Sequence, residues 1–128
     1  MENKMKAIRK NYDNIDKPVG PYVHAVKHNN LLYLSGLSAF GSLAQTQTIE
    51  FQAKEIFKQI EKIAKVEKSS LKNIIKVTIF VTDFERVDEL RTTLFEIYKE
   101  NLPASSLVQV NKLFHPDLKV EIEAVVAV

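Results

Sequence analysis

The strongest constraint on this chain lies at its end, in the strict alternation of residues 119–127. Val120, Ile122, Ala124 and Val126 fall on one face, and Glu121, Glu123, Val125 and Ala127 on the other. Period two with β-branched residues marks a strand with one face in a core. The second face is less usual, because two carboxylates give way to apolar residues toward Val128. A strand of this kind with no polar tail is expected in the middle of its sheet, its second face against something other than bulk water. The preceding stretch, Ser106 to Leu113, reads as a companion strand, joined to the last one through a turn at His115-Pro116-Asp117.

Upstream, the pattern alternates between strand and helix. Residues 1–11 carry little to bury and predict at most a short strand near Ala7-Ile8. Pro18 and Gly20-Pro21 break any helix. Tyr22 to Val26 and Leu31 to Gly36 flank Lys27-His28-Asn29-Asn30, a hairpin signal because Asn tolerates positive φ. Gly36 predicts a bulge or a close backbone approach, or simply the end of the strand. Leu37 to Gln47 reads as a loop. A helix follows from Thr48, a candidate N-cap, with Ile49, Ala53, Ile56, Phe57, Ile60, Ile63 and Ala64 on one face. Lys54, Lys58, Lys62 and Lys65 line the opposite side, interleaved with Glu55 and Glu61 as on a solvated face. Ile74 to Thr82 is the most β-prone stretch and predicts a central strand. Asp83 is a candidate cap for a second helix over Glu85 to Glu100, with Asn101 as its stop and Pro103 preventing continuation.

The order β-β-α-β-α-β-β predicts an α+β domain spanning 1–128, with a mixed sheet and two helices on one face. Two helices leave the other face open, and in a chain of 128 residues a second subunit is the expected cover. With no cysteine, disulfides, thiol catalysis and thiolate metal sites are excluded. A net charge of +2 demands neither nucleic acid nor membrane. No apolar run reaches the roughly 20 residues of a membrane span, and no signal-peptide core stands at the N-terminus, so a cytoplasmic location is expected.

Chemical motifs are sparse. There is no G-x-S-x-G elbow, phosphate loop or H-E-x-x-H. His24, His28 and His115 lack ligand spacing and read as surface or turn residues, so no metal or cofactor is expected. Glu121 and Glu123 stand about 7 Å apart on one strand face, placed either in a pocket or toward water.

Six segments occur in order at family spacing: Gly20-Pro21-Tyr22, Leu34-Ser35-Gly36, Ile49-Glu50-Phe51-Gln52, Val77-Thr78-Ile79-Phe80-Val81, Leu102-Pro103-Ala104-Ser105 and Val120-Glu121-Ile122-Glu123-Ala124. Together they resemble the Rid family, also called YjgF or L-PSP, over nearly the whole chain. The resemblance implies a chorismate-mutase-like fold and a homotrimer whose sheets form a central barrel, with small-molecule clefts between subunits. It also implies an ancestry in enamine and imine deaminases. There a glutamate matching Glu121 activates water, and positions matching Tyr22, Ser35 and Gly36 line the cleft. The family's carboxylate-binding arginine falls at Ser105, and its frequent glutamine at Leu37. Losing a bidentate, charge-assisted contact from a desolvated site costs about 2–5 kcal/mol.

Three functions follow. The first is a cleft that binds a metabolite without deaminase turnover. The second is an active 2-imino-acid or enamine deaminase with another anchor. The third is an RNA-directed activity, which only the lysine stripe supports. Arg9, Arg86 and Arg91 are the only arginines, and Arg91 is expected to pair with Asp88.

Overall fold

Residues 6–128 are described by a computed structural model, in which six strands form one sheet and two helices pack on one of its faces. The elements are β1 (Ile8–Lys10), β2 (Ala25–His28), β3 (Leu31–Leu34), α1 (Ile49–Val66), β4 (Ile74–Val81), α2 (Val87–Tyr98), β5 (Ala104–Gln109) and β6 (Val120–Ala127). In space the strands run β1-β2-β3-β6-β4-β5. Strands β4 and β5 pair in parallel across the α2 crossover, and the other neighbouring pairs are antiparallel.

Strand β6 sits between β3 and β4, as its alternation predicts. Its Val120, Ile122, Ala124 and Val126 are buried with Val77, Ile79 and Val81 of β4 and with Ile56, Ile60 and Ile63 of α1. Each fully buried branched side chain contributes about 1.5–3 kcal/mol relative to exposure. The helical spacing in α1 buries Ile49, Ala53, Ile56, Phe57, Ile60, Ile63 and Ala64, as read from the sequence. Phe57 meets Tyr98 of α2 edge to face, ring centres 5.5 Å apart. The lysines of the α1 stripe are exposed.

Among the described residues no element covers the opposite face. Register places Tyr33, Lys76, Thr78, Phe80, Glu121, Glu123 and Val125 on it. From β5, Ser106 and Val108 join them. Tyr33 and Val108 are exposed, and Lys76 Nζ donates to Ser106 Oγ at 3.0 Å.

Several expectations shift. The short strand read near Ala7-Ile8 is present as edge strand β1, Ile8–Lys10, which stands ahead of the predicted β-β-α-β-α-β-β order and pairs with β2. Strand β5 covers 104–109 rather than 106–113, and it does not pair with β6, because β4 lies between them. The parallel crossover through α2 brings β5 to the far side of β4, a position that closeness in sequence does not reveal. Thr48 occupies the α1 N-cap, but only its carbonyl caps, accepting from Gln52 N at 3.0 Å; its buried hydroxyl has no partner. Asp83 accepts from Glu85 N at 3.0 Å in the turn before α2, whose N-cap is Arg86. That helix ends at Lys99, which takes a positive φ of 56°, rather than at Asn101. Arg91 pairs with Asp88 at 3.6 Å as expected.

His24 is not at the surface. It is 4% exposed, and both ring nitrogens are engaged. Tyr12 N donates to Nδ1 at 2.9 Å, so Nε2 carries the proton and donates to the Asp16 carbonyl at 2.7 Å. This is the neutral tautomer. Nearby, Glu67, 5% exposed at its side chain, accepts from the Tyr12 hydroxyl at 2.8 Å and pairs with Lys10 at 2.6 Å. Burial pushes the Glu67 pKa up, but the Lys10 and Tyr12 contacts outweigh it and hold the carboxyl below its ordinary range. The network fastens the N-terminal strand to the end of α1.

Candidate functional site

The site grows from an irregularity between β3 and β6. Tyr33 pairs with Val125, and Leu37 then rejoins the ladder opposite Ile122. Four steps along one chain match three along the other, so one extra residue is accommodated at Ser35-Gly36. Leu37 N donates to the Ile122 carbonyl at 2.8 Å, and Ile122 N returns a bond to Leu37 at 3.0 Å. Of the readings open for Gly36, a bulge, a close approach or a plain strand end, the bulge is present.

Gly36 is there for space. A Cβ on it would collide with the Glu121 carboxylate, its carboxyl carbon 3.0 Å away. The Glu121 side chain therefore lies over the Gly36 backbone, which answers the close approach read from the sequence. Ser35 ties this bulge to the loop carrying Tyr22: its hydroxyl donates to the Val23 carbonyl at 2.6 Å, and its N–H donates to His24 O at 3.0 Å. Tyr22 is folded back by a bond from its N–H to Gly20 O at 2.8 Å. Its ring lies 3.0 Å from where a Gly20 Cβ would stand.

These residues share an open cleft of about 730 Å³, which brings together Tyr22, Ser35, Gly36 and Glu121 with Lys17 and Glu123. Burial, reinforced by the neighbouring Glu123 charge, pushes the Glu121 pKa up. A carboxyl raised in this way is suited to exchanging a proton closer to neutrality. No group of three or more His, Cys, Asp or Glu side chains placed to hold a metal occurs among the described residues.

Two aromatic residues in the wall were not singled out from the sequence. Phe40 and Phe114 both line the cleft and meet edge to face, ring centres 4.9 Å apart. Phe114 is 66% exposed. The signal for them was one phenylalanine in each of two loops, 37–47 and 110–118. Gln52 stands in the Ile49-Glu50-Phe51-Gln52 segment, where nothing in the sequence marks its role. It is fully buried; its amide donates to the Gln45 and Asp117 carbonyls, each at 2.8 Å, while its oxygen accepts from Lys119 N at 2.8 Å. It clamps the loop before α1 to the start of β6, on whose far face Glu121 stands.

The profile of the family described as Endoribonuclease L-PSP matches residues 13–128. A RutC family protein of Buchnera aphidicola subsp. Acyrthosiphon pisum is 36% identical over 113 residues, covering 84% of this chain and 88% of the relative. This chain belongs to the L-PSP, or Rid, family. A 2-iminobutanoate/2-iminopropanoate deaminase of Dermatophagoides farinae is 28% identical, covering 88% of this chain and 89% of the relative. Among solved structures, a Rid-family protein of unknown function from Yersinia pestis superposes with a TM-score of 0.86 at 27% identity, covering 96% of this chain and all of that one.

Within this Rid-family chain, Ser105 does not join the other four residues. It stands on edge strand β5 opposite Val77, a helix-facing position, and is exposed. Glu121 points from the other face, two strand spacings or about 10 Å across the sheet. No arginine lines the cleft.

Proposed function

We propose that this Rid-family protein holds a small metabolite in clefts completed between the subunits of a homotrimer, and that its ancestral hydrolysis of enamine and imine acids is lost or weak. The observation that carries this reading is Glu121, seated against Gly36 in a cleft of about 730 Å³ that no arginine lines. On this reading Glu121 stands in for the water-activating glutamate that the family resemblance implies, and no cation among the described lining residues is an arginine able to grip a substrate carboxylate. The sheet face opposite the helices carries Tyr33, Phe80, Val108 and Val125 among polar neighbours, and exposed apolar side chains there support a covering subunit, which the family resemblance makes a trimer. No helix among the described residues is long and apolar enough to cross a membrane.

The deciding experiment generates 2-iminobutanoate from an amino acid in a coupled assay and follows keto-acid release. Release no faster than the buffer blank is expected. Rapid turnover would establish the alternative, an active deaminase with another anchor, which the raised Glu121 pKa and the deaminase named among the relatives favour. Sedimentation gives an independent check, and a monomer would overturn the trimer. The lysine stripe on α1 is interleaved with glutamates, and nothing at the cleft supports cleavage of RNA.

A further inference from the structure

We infer that the cleft takes an organic cation, an ammonium or iminium group carrying an aryl or bulky alkyl substituent, and discriminates against carboxylates. This deepens the reading of the cleft as a ligand site and rests on it.

The charge balance of the lining comes first. Three carboxylates, Asp16, Glu121 and Glu123, face a single cationic side chain, Lys17. His24 adds no charge, because the backbone N–H of Tyr12 occupies Nδ1 and leaves the neutral ring. Hydrogen-bonding capacity points the same way. The protons of Ser35 Oγ and His24 Nε2 are already given to the carbonyls of Val23 and Asp16, and the Gln59 amide to Ser38 O and Glu55. The Tyr22 and Ser38 hydroxyls accept from Val19 N and Phe40 N and keep their protons, but three carboxylates against one lysine leave the charge of the lining suited to N–H donors and unfavourable to an anion.

Shape supplies the second half. Phe40 and Phe114 form an edge-to-face wall, with Tyr22 and Leu37 also in the lining. Aromatic faces beside carboxylates favour a cation bearing an apolar group, through ring contact and cation–π attraction. Completion of the cleft by a second copy would not reverse the balance through β5. Its residues, Ala104-Ser105-Ser106-Leu107-Val108-Gln109, carry no ionisable side chain.

The test is calorimetric titration of the full chain with three probes: 2-phenylethylamine, 3-phenylpropanoate of similar length with the charge reversed, and butylamine, which lacks the ring. Phenylethylammonium should bind at least about fivefold more tightly than either of the others. Glu123→Gln should weaken both amines about threefold and leave phenylpropanoate unchanged or tighter. Phe114→Ala should weaken phenylethylamine and spare butylamine. Circular dichroism and sedimentation verify that each variant folds and assembles as the parent does. Phenylpropanoate binding as tightly as phenylethylamine would overturn the inference while leaving the ligand-site reading intact. Failure of all three probes to bind would overturn the inference, and the site reading would then fall only if keto-acid release and binding of imino-acid analogues were also absent.

Discussion

The two sides of β4 differ in what they have finished. On the β6 side, a bulge, a glycine and a carboxylate interlock, and Tyr22, Ser35, Gly36 and Glu121 meet in one cleft. On the β5 side, Ser105 stands exposed on the edge strand of the described sheet, on the opposite face from Glu121. The contrast follows from how each side is held. The cleft side is fixed by long-range ties, from Ser35 to Val23, Leu37 to Ile122 and Gln52 to Lys119. The edge side has its ladder to β4 and an unpaired outer rim. Residues on a clamped, bulged segment can be positioned for chemistry. An edge strand is the part of a sheet most ready to meet another chain. Changes on the cleft side should therefore disturb fold and site together, and changes at Ser105 should be read only at an interface.

The largest expected effect is at Gln52, because its removal leaves several buried backbone groups without partners. Gln52→Ala strips the Gln45 and Asp117 carbonyls and the Lys119 N–H of their contacts. A stability loss of about 3 kcal/mol is expected in urea unfolding. A loss below about 1 kcal/mol would show that water replaces the amide and that the loops before α1 and β6 do not depend on it. Next is Gly36→Val, which forces the Glu121 carboxylate off the backbone beneath it. About 2 kcal/mol of destabilisation is expected from overpacking, together with weakened ligand binding. Unchanged stability with Glu121 unmoved would break the claim that space is the reason for this glycine.

Proton titration sharpens the comparison within the fold. The folded-state pKa of Glu121 is raised, by burial first and by Glu123 second. The folded protein thus holds that proton more tightly than the unfolded chain, and stability contributed by protonated Glu121 declines as pH rises from the ordinary carboxylate range through the raised value. Glu67 runs the other way. Its lowered pKa means its contribution is present above the ordinary value and is lost as pH falls through the folded one. Carbon-13 NMR of the side-chain carboxyls should show the Glu121 midpoint above, and the Glu67 midpoint below, those of exposed glutamates. Glu123→Gln should bring the Glu121 midpoint down. A midpoint that does not move would leave desolvation as the whole cause.

How far the sequence carried is itself a matter of which forces act locally. The alternation in β6 was legible because one buried face imposes period two on neighbouring residues. The bulge at Ser35-Gly36 was legible because glycine at a strand end has few reasons to be there. What it approaches was not legible from spacing, since Glu121 arrives from the far end of the chain through the β3–β6 pairing. The burial of His24 was missed because the groups that satisfy its ring are backbone N–H and C=O, which carry no sequence signature. The place of β5 was missed for a related reason. A parallel crossover puts sequence neighbours on opposite sides of β4, and the turn at 115–117 looks locally like that of a hairpin. Resemblance supplied Glu121 and Ser105 as members of one site, and the single chain holds only the first of them in the cleft.

The smallest effect on folding, and the sharpest on function, is expected from Ser105→Arg. The position is exposed on an edge strand, so its unfolding free energy should change by no more than about 0.5 kcal/mol. If the chain forms the proposed trimer and β5 of one copy there meets the cleft of another, the new guanidinium adds a bidentate partner for a carboxylate beside the Glu121 of that neighbour. Keto-acid release from 2-iminobutanoate should then rise above the parent, and the preference of the cleft for cations should weaken in the same preparation. Coupling of the two changes would tie the edge of one subunit to the cleft of the next. A rise in neither, in a variant shown by sedimentation to be trimeric, would mean that Leu37, Phe40 and Phe114 have reshaped the cleft so far that a carboxylate no longer fits beside Glu121.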